Sequence, residues 1–77
     1  AARFIDCKTN INYPVSMKEE YLQTERQYLK LVDEPAEKIF ISFEGYFEKQ
    51  QIVDDDGFED AVVIHKLIDI DKGKKCN

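Results

Sequence analysis

Hydrophobic and polar residues alternate most regularly in the segment Lys38–Glu48. Its apolar row consists of Ile39, Ile41, Phe43 and Phe47, with Gly45 standing where the row would continue. A period of two residues is typical of a strand with one buried face, and β-branched and aromatic residues suit such a surface. An interior glycine often marks a bulge or a bend. We therefore predict a strand that bends at Gly45, as strands do when a small sheet curls into a barrel.

Two short apolar runs near the beginning of the chain also carry strand patterns. They are Arg3–Cys7 and Ile11–Val15, and three polar residues separate them. The two runs form either a hairpin or one strand that continues after a bend. Pro14 cannot donate a hydrogen bond to a ladder, so it belongs at an edge or at the end of its strand.

A helical pattern follows in the segment Met17–Val32, which contains no glycine or proline. Ser16 and Glu19 have the spacing of a capping box, in which the serine side chain caps the helix and the glutamate reaches back. The sequence therefore predicts a helix that begins at Ser16. Pro35 marks the predicted end, because the residue before a proline disfavours helical geometry.

Glu25 interrupts the apolar stripe that this helix phase produces. Its neighbours in that stripe are Tyr21, Leu22, Tyr28 and Leu29. A buried carboxylate needs hydrogen-bond partners, so we expect Glu25 to be a structural buried carboxylate. Its partner would be a tyrosine hydroxyl, backbone N–H groups or a cation such as Arg3. A catalytic role would need a second group, and the sequence offers none.

The last two segments before the tail are an acidic loop and a final strand. A calcium-binding loop that starts at Asp54 would need an oxygen ligand at its fifth position and a glycine at its sixth. Phe58 is at the fifth position and Gly57 at the fourth, so the calcium pattern fails. The sequence therefore predicts a solvated hairpin loop over Gln50–Asp60. Ala61–Asp71 is apolar on both parities. It is either buried on both faces or changes parity at a bulge near residues 65–66.

Composition and charge restrict the possible functions. A chain of 77 residues makes one domain, 1–77. Its formal net charge of −5 argues against nucleic acid and against anionic membrane surfaces. No apolar run approaches the roughly 20 residues of a membrane-spanning helix. Because the chain opens with Ala1, we expect a mature form or an excised domain, unless an initiator methionine was removed.

The sequence indicates no catalysis, metal site or cofactor. His65 is the single histidine, and nothing beside it in sequence resembles a nucleophile, so we place it at a sheet surface. Cys7 and Cys76 lack metal-ligand spacing. They indicate either a disulfide that closes nearly the whole chain in an oxidising compartment or two unrelated cytosolic thiols.

Several segments together resemble a known family. They are F-x-D-C at Phe4–Cys7, Y-P-V at Tyr13–Val15, Y-L-x-x-E-R-x-Y-L at Tyr21–Leu29, F-I-S-F-E-G at Phe40–Gly45, V-V-I-H-K-L at Val62–Leu67, and the closing Cys76. In this order the sequence is similar to the C-terminal domain of NlpE-type bacterial envelope lipoproteins. The resemblance covers nearly the whole chain and implies a mostly β, α+β fold. That fold is a small antiparallel OB-like barrel with the order β-β-α-β-β.

The resemblance also implies a role and a compartment. It implies a Cys7–Cys76 disulfide and a non-catalytic domain without cofactors, forming the C-terminal part of a larger lipoprotein. The expected location is the periplasm or the outer-membrane-associated envelope, and the expected partner is another envelope protein. Contact with the membrane would run only through a lipid anchor outside this chain. Family roles include envelope-stress signalling, surface sensing and copper tolerance.

Two departures from the family keep alternatives open. The N-terminal barrel of larger members carries a C-x-x-C motif and a lipidated cysteine, and neither occurs in these residues, so copper binding does not carry over. The OB fold is five-stranded, whereas the sequence predicts only four strands. The alternative functions are an OB-type ligand or nucleic-acid binding domain and a copper-homeostasis domain.

Overall fold

The computed structural model describes residues 2–34 and 36–76, and its elements follow the predicted order. They are β1 (Arg3–Ile5), β2 (Asn12–Pro14), α1 (Tyr21–Leu31), β3 (Phe40–Gln51) and β4 (Phe58–Asp71). Within the described part of the chain, β1 pairs with β2 and β3 pairs with β4, both antiparallel. The predicted α+β class and the order β-β-α-β-β are confirmed.

The two N-terminal runs form a hairpin and not one bent strand. Its connection is a tight turn, in which the Asn10 N–H donates to the Asp6 carbonyl at 2.8 Å and the Asp6 N–H donates to the Ile11 carbonyl at 3.0 Å. The hairpin packs on β3 through two aromatic contacts. The ring centroids of Phe4 and Phe43 are 5.1 Å apart, and those of Tyr13 and Phe47 are 4.8 Å apart.

The long ladder between β3 and β4 contains two register shifts, and the extra residues are both in β4. His65 and Ile68 have no partner in β3, so each is a bulge. The apolar row of β4 that faces the same side as Phe47, Gly45, Phe43 and Ile41 is therefore Val62, Ile64, Leu67 and Ile70. The bulge at His65 explains why Lys66, and not an apolar residue, follows Ile64 in the alternation of the sequence.

Gly45 lies next to the register shift at His65, where the backbones of β3 and β4 approach closely. A Cβ atom at this position would lie 2.1 Å from the Val63 carbonyl oxygen and 2.9 Å from the Phe43 ring. The absence of a side chain is therefore a steric requirement of the ladder.

The buried hydrophobic residues of the described chain are four consecutive positions of β4 and one residue of α1. They are Ala61, Val62, Val63, Ile64 and Tyr21. The predicted apolar row is less buried than expected: Ile39, which precedes β3, and Ile41 and Phe43 within it are half-buried, and Phe47 is 54% exposed. The reason is the small size of the covering hairpin, whose strands have three residues each.

The helix begins at Tyr21, so the predicted capping box at Ser16 is wrong. The cap position is Glu20, which makes no side-chain capping hydrogen bond. The Ser16 N–H instead donates to the Val62 carbonyl at 2.8 Å, because residues 15–20 run along the outer edge of β4. Pro35, the predicted stop, lies outside the described residues, and the helix ends four residues earlier at Leu31. In the described part of the chain no helix has the length and apolarity to cross a membrane.

Candidate functional site

The first candidate feature is the covalent link between the two ends of the domain. Cys7 and Cys76 form a disulfide, with their Cα atoms 5.3 Å apart, which confirms the predicted pair. Both cysteines are exposed. The tail that carries Cys76 is also held by Lys74, which forms an ion pair with Asp69 at 2.7 Å and lies 5.7 Å from the centre of the Phe40 ring.

The second candidate feature is a polar cluster on the turn between β2 and α1, which we call the turn cluster. Its members are Ser16, Lys18, Glu19, Tyr46, Glu48 and His65. The turn lies against β4 because the N–H groups of Ser16 and Glu20 donate to the carbonyls of Val62 and Ile64 at 2.8 Å and 3.0 Å. This edge pairing brings the turn within reach of side chains from β3 and β4.

Glu19 is at the centre of one half of the cluster. Its backbone has a φ of 52°, in the left-handed region, which is uncommon for a residue with a side chain. Its carboxylate accepts a hydrogen bond from the Tyr46 hydroxyl and lies 2.7 Å from Nδ1 of His65. One glutamate of the turn therefore connects both long strands.

Glu48 is at the centre of the other half. Its carboxylate accepts hydrogen bonds from Lys18 Nζ at 2.9 Å and from the Ser16 hydroxyl at 3.1 Å. The Ser16 oxygen in turn accepts the Lys18 backbone N–H at 3.3 Å. The two residues of the predicted capping box, Ser16 and Glu19, thus use their side chains to bind the turn to the sheet.

The electrostatics of the cluster follow from these contacts. The hydrogen bond to Glu19 raises the pKa of His65, and the same contact lowers the pKa of Glu19. The hydrogen bond from Lys18 lowers the pKa of Glu48, and the hydrogen bond to Glu19 raises the pKa of Tyr46. These shifts favour the charged forms of His65 and Glu19 together at mildly acidic pH.

His65 lies at the sheet surface, where the sequence placed it. Its side chain is 64% exposed and forms an ion pair with Glu19. The described residues include no group of three or more histidine, cysteine or acidic side chains arranged to hold a metal ion. The chemistry of the turn cluster is that of an exposed ion-pair network.

Glu25 corrects a prediction, because it is exposed and not buried. The buried side chains of α1 are Tyr21 and Thr24, so the buried face is rotated away from the predicted stripe. That face packs on β4. Glu25 does accept a hydrogen bond from a tyrosine hydroxyl, Tyr21, at 3.0 Å.

The acidic loop 52–57 connects β3 and β4 as a hairpin loop. The Ile52 N–H donates to the Gly57 carbonyl at 3.0 Å, and the Gly57 N–H donates to the Asp55 carboxylate at 3.0 Å. These contacts stabilise the turn itself, and Val53 is fully outside the core at 84% exposure.

The comparison with protein families shows to which family the chain belongs. A family model described as the NlpE C-terminal OB domain matches residues 1–77. The chain belongs to this family. Membership in this family places the domain in the bacterial cell envelope. The NlpE C-terminal OB domain is a non-catalytic type of domain. The curated proteins and the solved structures gave no match to the chain.

The turn cluster of this NlpE-type domain was not found from the sequence. Its six residues come from three segments that are distant along the chain, and no local motif joins them. The one available signal was His65, which the sequence treated as an isolated surface histidine. The capping-box pattern predicts its acidic partner, Glu19, in the first turn of a helix, whereas the structure places Glu19 in the turn before α1.

Proposed function

We propose that this NlpE-type domain is a protein-interaction and envelope-stress sensing module. It acts without catalysis, in the periplasm or against the outer membrane, with another envelope protein as its partner. Any membrane contact runs through a lipid anchor outside these residues. The observation that carries the proposal is the Cys7–Cys76 disulfide, which joins the end of β1 to the tail after β4.

The disulfide gives the redox state of the envelope a large effect on folding. The bonded cysteines are 69 residues apart, and closing such a loop stabilises a fold by roughly 4 kcal/mol on the chain-entropy model. This is close to the whole stability of a small domain. Both cysteines are exposed, so reductants can reach the bond. Reduction would therefore lower the folded population of the domain directly.

The charge of the chain supports a protein partner over nucleic acid. A formal net charge of −5 opposes binding to phosphate groups, although OB folds in general can hold single strands on their sheet. A titration with a single-stranded oligonucleotide at low salt separates the two functions. Micromolar binding that weakens as salt is added would replace the interaction proposal with the nucleic-acid one.

The stability arm of the test compares the oxidised domain with the double variant Cys7→Ser/Cys76→Ser. We expect the variant to melt roughly 15–30 °C lower, from the loop entropy above and about 4–8 °C per kcal/mol for a domain of this size. Adding reductant to the native domain should produce the same fall. Equal melting temperatures with and without the bond would contradict the sensing mechanism.

The signalling arm places the same variants in the full-length lipoprotein and measures a transcriptional reporter of envelope stress. Because the proposed signal is the folded population, the cysteine variant should change the reporter output. Gly45→Ala, which destabilises the ladder without touching the disulfide, should change it in the same direction. Gly57→Ala, a control glycine without close contacts, should leave it unchanged. An unchanged reporter in the cysteine variant would refute the proposal.

A further inference from the structure

β3 has a hydrogen-bonded neighbour on one side only. Its ladder partner is β4, and among residues 2–34 and 36–76 no strand pairs with the opposite edge of β3. The outer edge of β4 differs, since residues 15–20 cover it through the N–H groups of Ser16 and Glu20. The sheet is therefore closed at β4 and open at β3.

The hydrogen bonds of β4 show which backbone groups of β3 face this open edge. The carbonyls of Val62 and Ile64 point away from β3, because they accept hydrogen bonds from the turn. Their register partners are Phe47 and Gly45. In an antiparallel ladder the two residues of such a non-hydrogen-bonded pair both direct their backbone groups outward. Gly45, Phe47 and, by alternation, Lys49 present N–H and C=O groups to the open edge.

The open edge carries charged side chains, including Glu48 and Lys49, but lacks three other usual protections against strand pairing. Natural edge strands are kept short or interrupted by proline or by bulges, because unpaired backbone groups are a template for another strand. β3 has 12 residues and no proline, and both bulges of the ladder are in β4. Residues 44–47 are exposed. The stretch Gly45–Lys49 is thus a continuous, accessible strand edge.

The side chains beside this edge define the chemistry of the strand that fits it. On one face Phe47 is 54% exposed, and on the other Glu44 is exposed without an ion pair in the described structure. A second copy would bring its own carboxylates, Glu44 and Glu48, to an edge of a chain whose net charge is already −5. A strand with basic residues opposite Glu44 and apolar residues opposite Phe47 is complementary on both faces.

We propose that the open edge of β3, Gly45–Lys49, binds an extended segment of another protein in which basic and apolar residues alternate, by antiparallel strand addition. Backbone hydrogen bonds supply the attachment, and the two side-chain rows supply the selectivity. The inference deepens the proposed interaction function by naming the surface and the kind of segment that occupies it. It does not depend on the disulfide acting as a sensor.

The test uses the oxidised 77-residue chain and peptides of about eight residues in which lysine and valine alternate. Binding is followed by backbone amide NMR, and we expect the largest shifts at residues 44–49. Lys49→Pro removes one outward N–H without removing a bond to β4, and we expect affinity to fall about tenfold. The matched control is Lys49→Ala, which loses the same side chain, keeps the N–H and should bind as the wild type does.

Chemical variants of the peptide test the geometry independently of any protein variant. Residues opposite Phe47 exchange hydrogen bonds with it, so N-methylation of the valine amides should abolish binding. N-methylation of the lysine amides, which point away from β3, should preserve it. Glu44→Lys should weaken the binding of the lysine–valine peptide and allow a glutamate–valine peptide to bind.

Three results would overturn the proposal. They are shifts confined to other surfaces, equal affinities for the two methylated peptides, and concentration-dependent pairing of β3 with a second copy in the absence of peptide. A domain that fails to bind the peptide but still changes the envelope-stress reporter on loss of its disulfide would overturn the edge proposal and leave the proposed function standing.

Discussion

Gly45→Ala is the sharpest test of the ladder geometry. The added methyl would lie 2.1 Å from the Val63 carbonyl oxygen, more than about 1 Å inside ordinary contact distance. Val63 is completely buried and its carbonyl belongs to the β3–β4 ladder, so the oxygen cannot move without moving the core. The Phe43 ring, 2.9 Å from the same methyl, is in contact with Phe4. Both neighbours of the methyl are therefore held in place.

The expected cost is that of overpacking, about 1–3 kcal/mol. The backbone of Gly45 is not in the left-handed region, so the penalty is steric and does not include conformational strain. For a domain of this size the melting temperature should fall by roughly 5–20 °C. Urea denaturation of the oxidised protein provides the free energy of unfolding, and an unchanged m-value shows that the transition is comparable.

Gly57→Ala is the matched control for this experiment. Its added methyl would lie 3.5 Å from the nearest atom, Ile52 Cδ1, and its backbone is also outside the left-handed region. We expect no loss of stability, and a gain of about 0.4–1 kcal/mol is the usual effect at a compatible glycine. Equal stabilities of the wild type and Gly45→Ala would refute the close approach of β3 and β4 at this position.

Three other measurements follow from the turn cluster and the helix. Thermal stability should be greatest below pH 6.5 and should fall as pH rises through the pKa of His65, which Glu19 raises above 6.5, because the ion pair is lost when His65 loses its proton. Glu19 has a pKa lowered below 4.5, so its contribution to stability is lost only as pH falls below that value. Glu19→Gln should remove the fall in stability with pH that depends on His65. An identical fall in that variant would disprove the pairing. Ser16→Ala should cost about 1 kcal/mol by urea denaturation, since a buried hydroxyl donates to Glu48 and accepts from Lys18, and strict additivity with Glu48→Ala would argue against that contact. Glu25→Ala should change stability by less than about 0.5 kcal/mol, as for other exposed side chains, and a larger loss would restore the buried carboxylate.

Local patterns in the sequence predicted the elements that depend on local physics. The alternation in Lys38–Glu48 identified β3, which the structure places at Phe40–Gln51. The interior glycine marked the position where the register changes. The positions of Cys7 and Cys76 alone leave a disulfide and two separate thiols both open, and the resemblance to the family implies the pair that the structure contains.

The helix start and the turn cluster could not be predicted in this way, because tertiary contacts outweigh the local signals. Ser16 has the sequence context of a helix cap, but its N–H bonds to Val62, 46 positions later in the chain. The face of α1 that packs on β4 contains Tyr21 and Thr24, and Glu25 lies outside this face and is exposed. The partners of Glu19 lie on two different strands, and no spacing along the chain reveals that arrangement.

The two bulges of β4 compensate each other, because the second restores the alternation of side chains between the two faces that the first one shifts. One extra residue, at His65, inverts which side chains face the hairpin, and the second, at Ile68, restores the original phase. Deleting His65 alone would turn one end of β4 over relative to the other, whereas deleting both extra residues would leave both ends in phase. Related domains that vary in length along this strand are therefore expected to differ there by two residues, a whole period of the pleat.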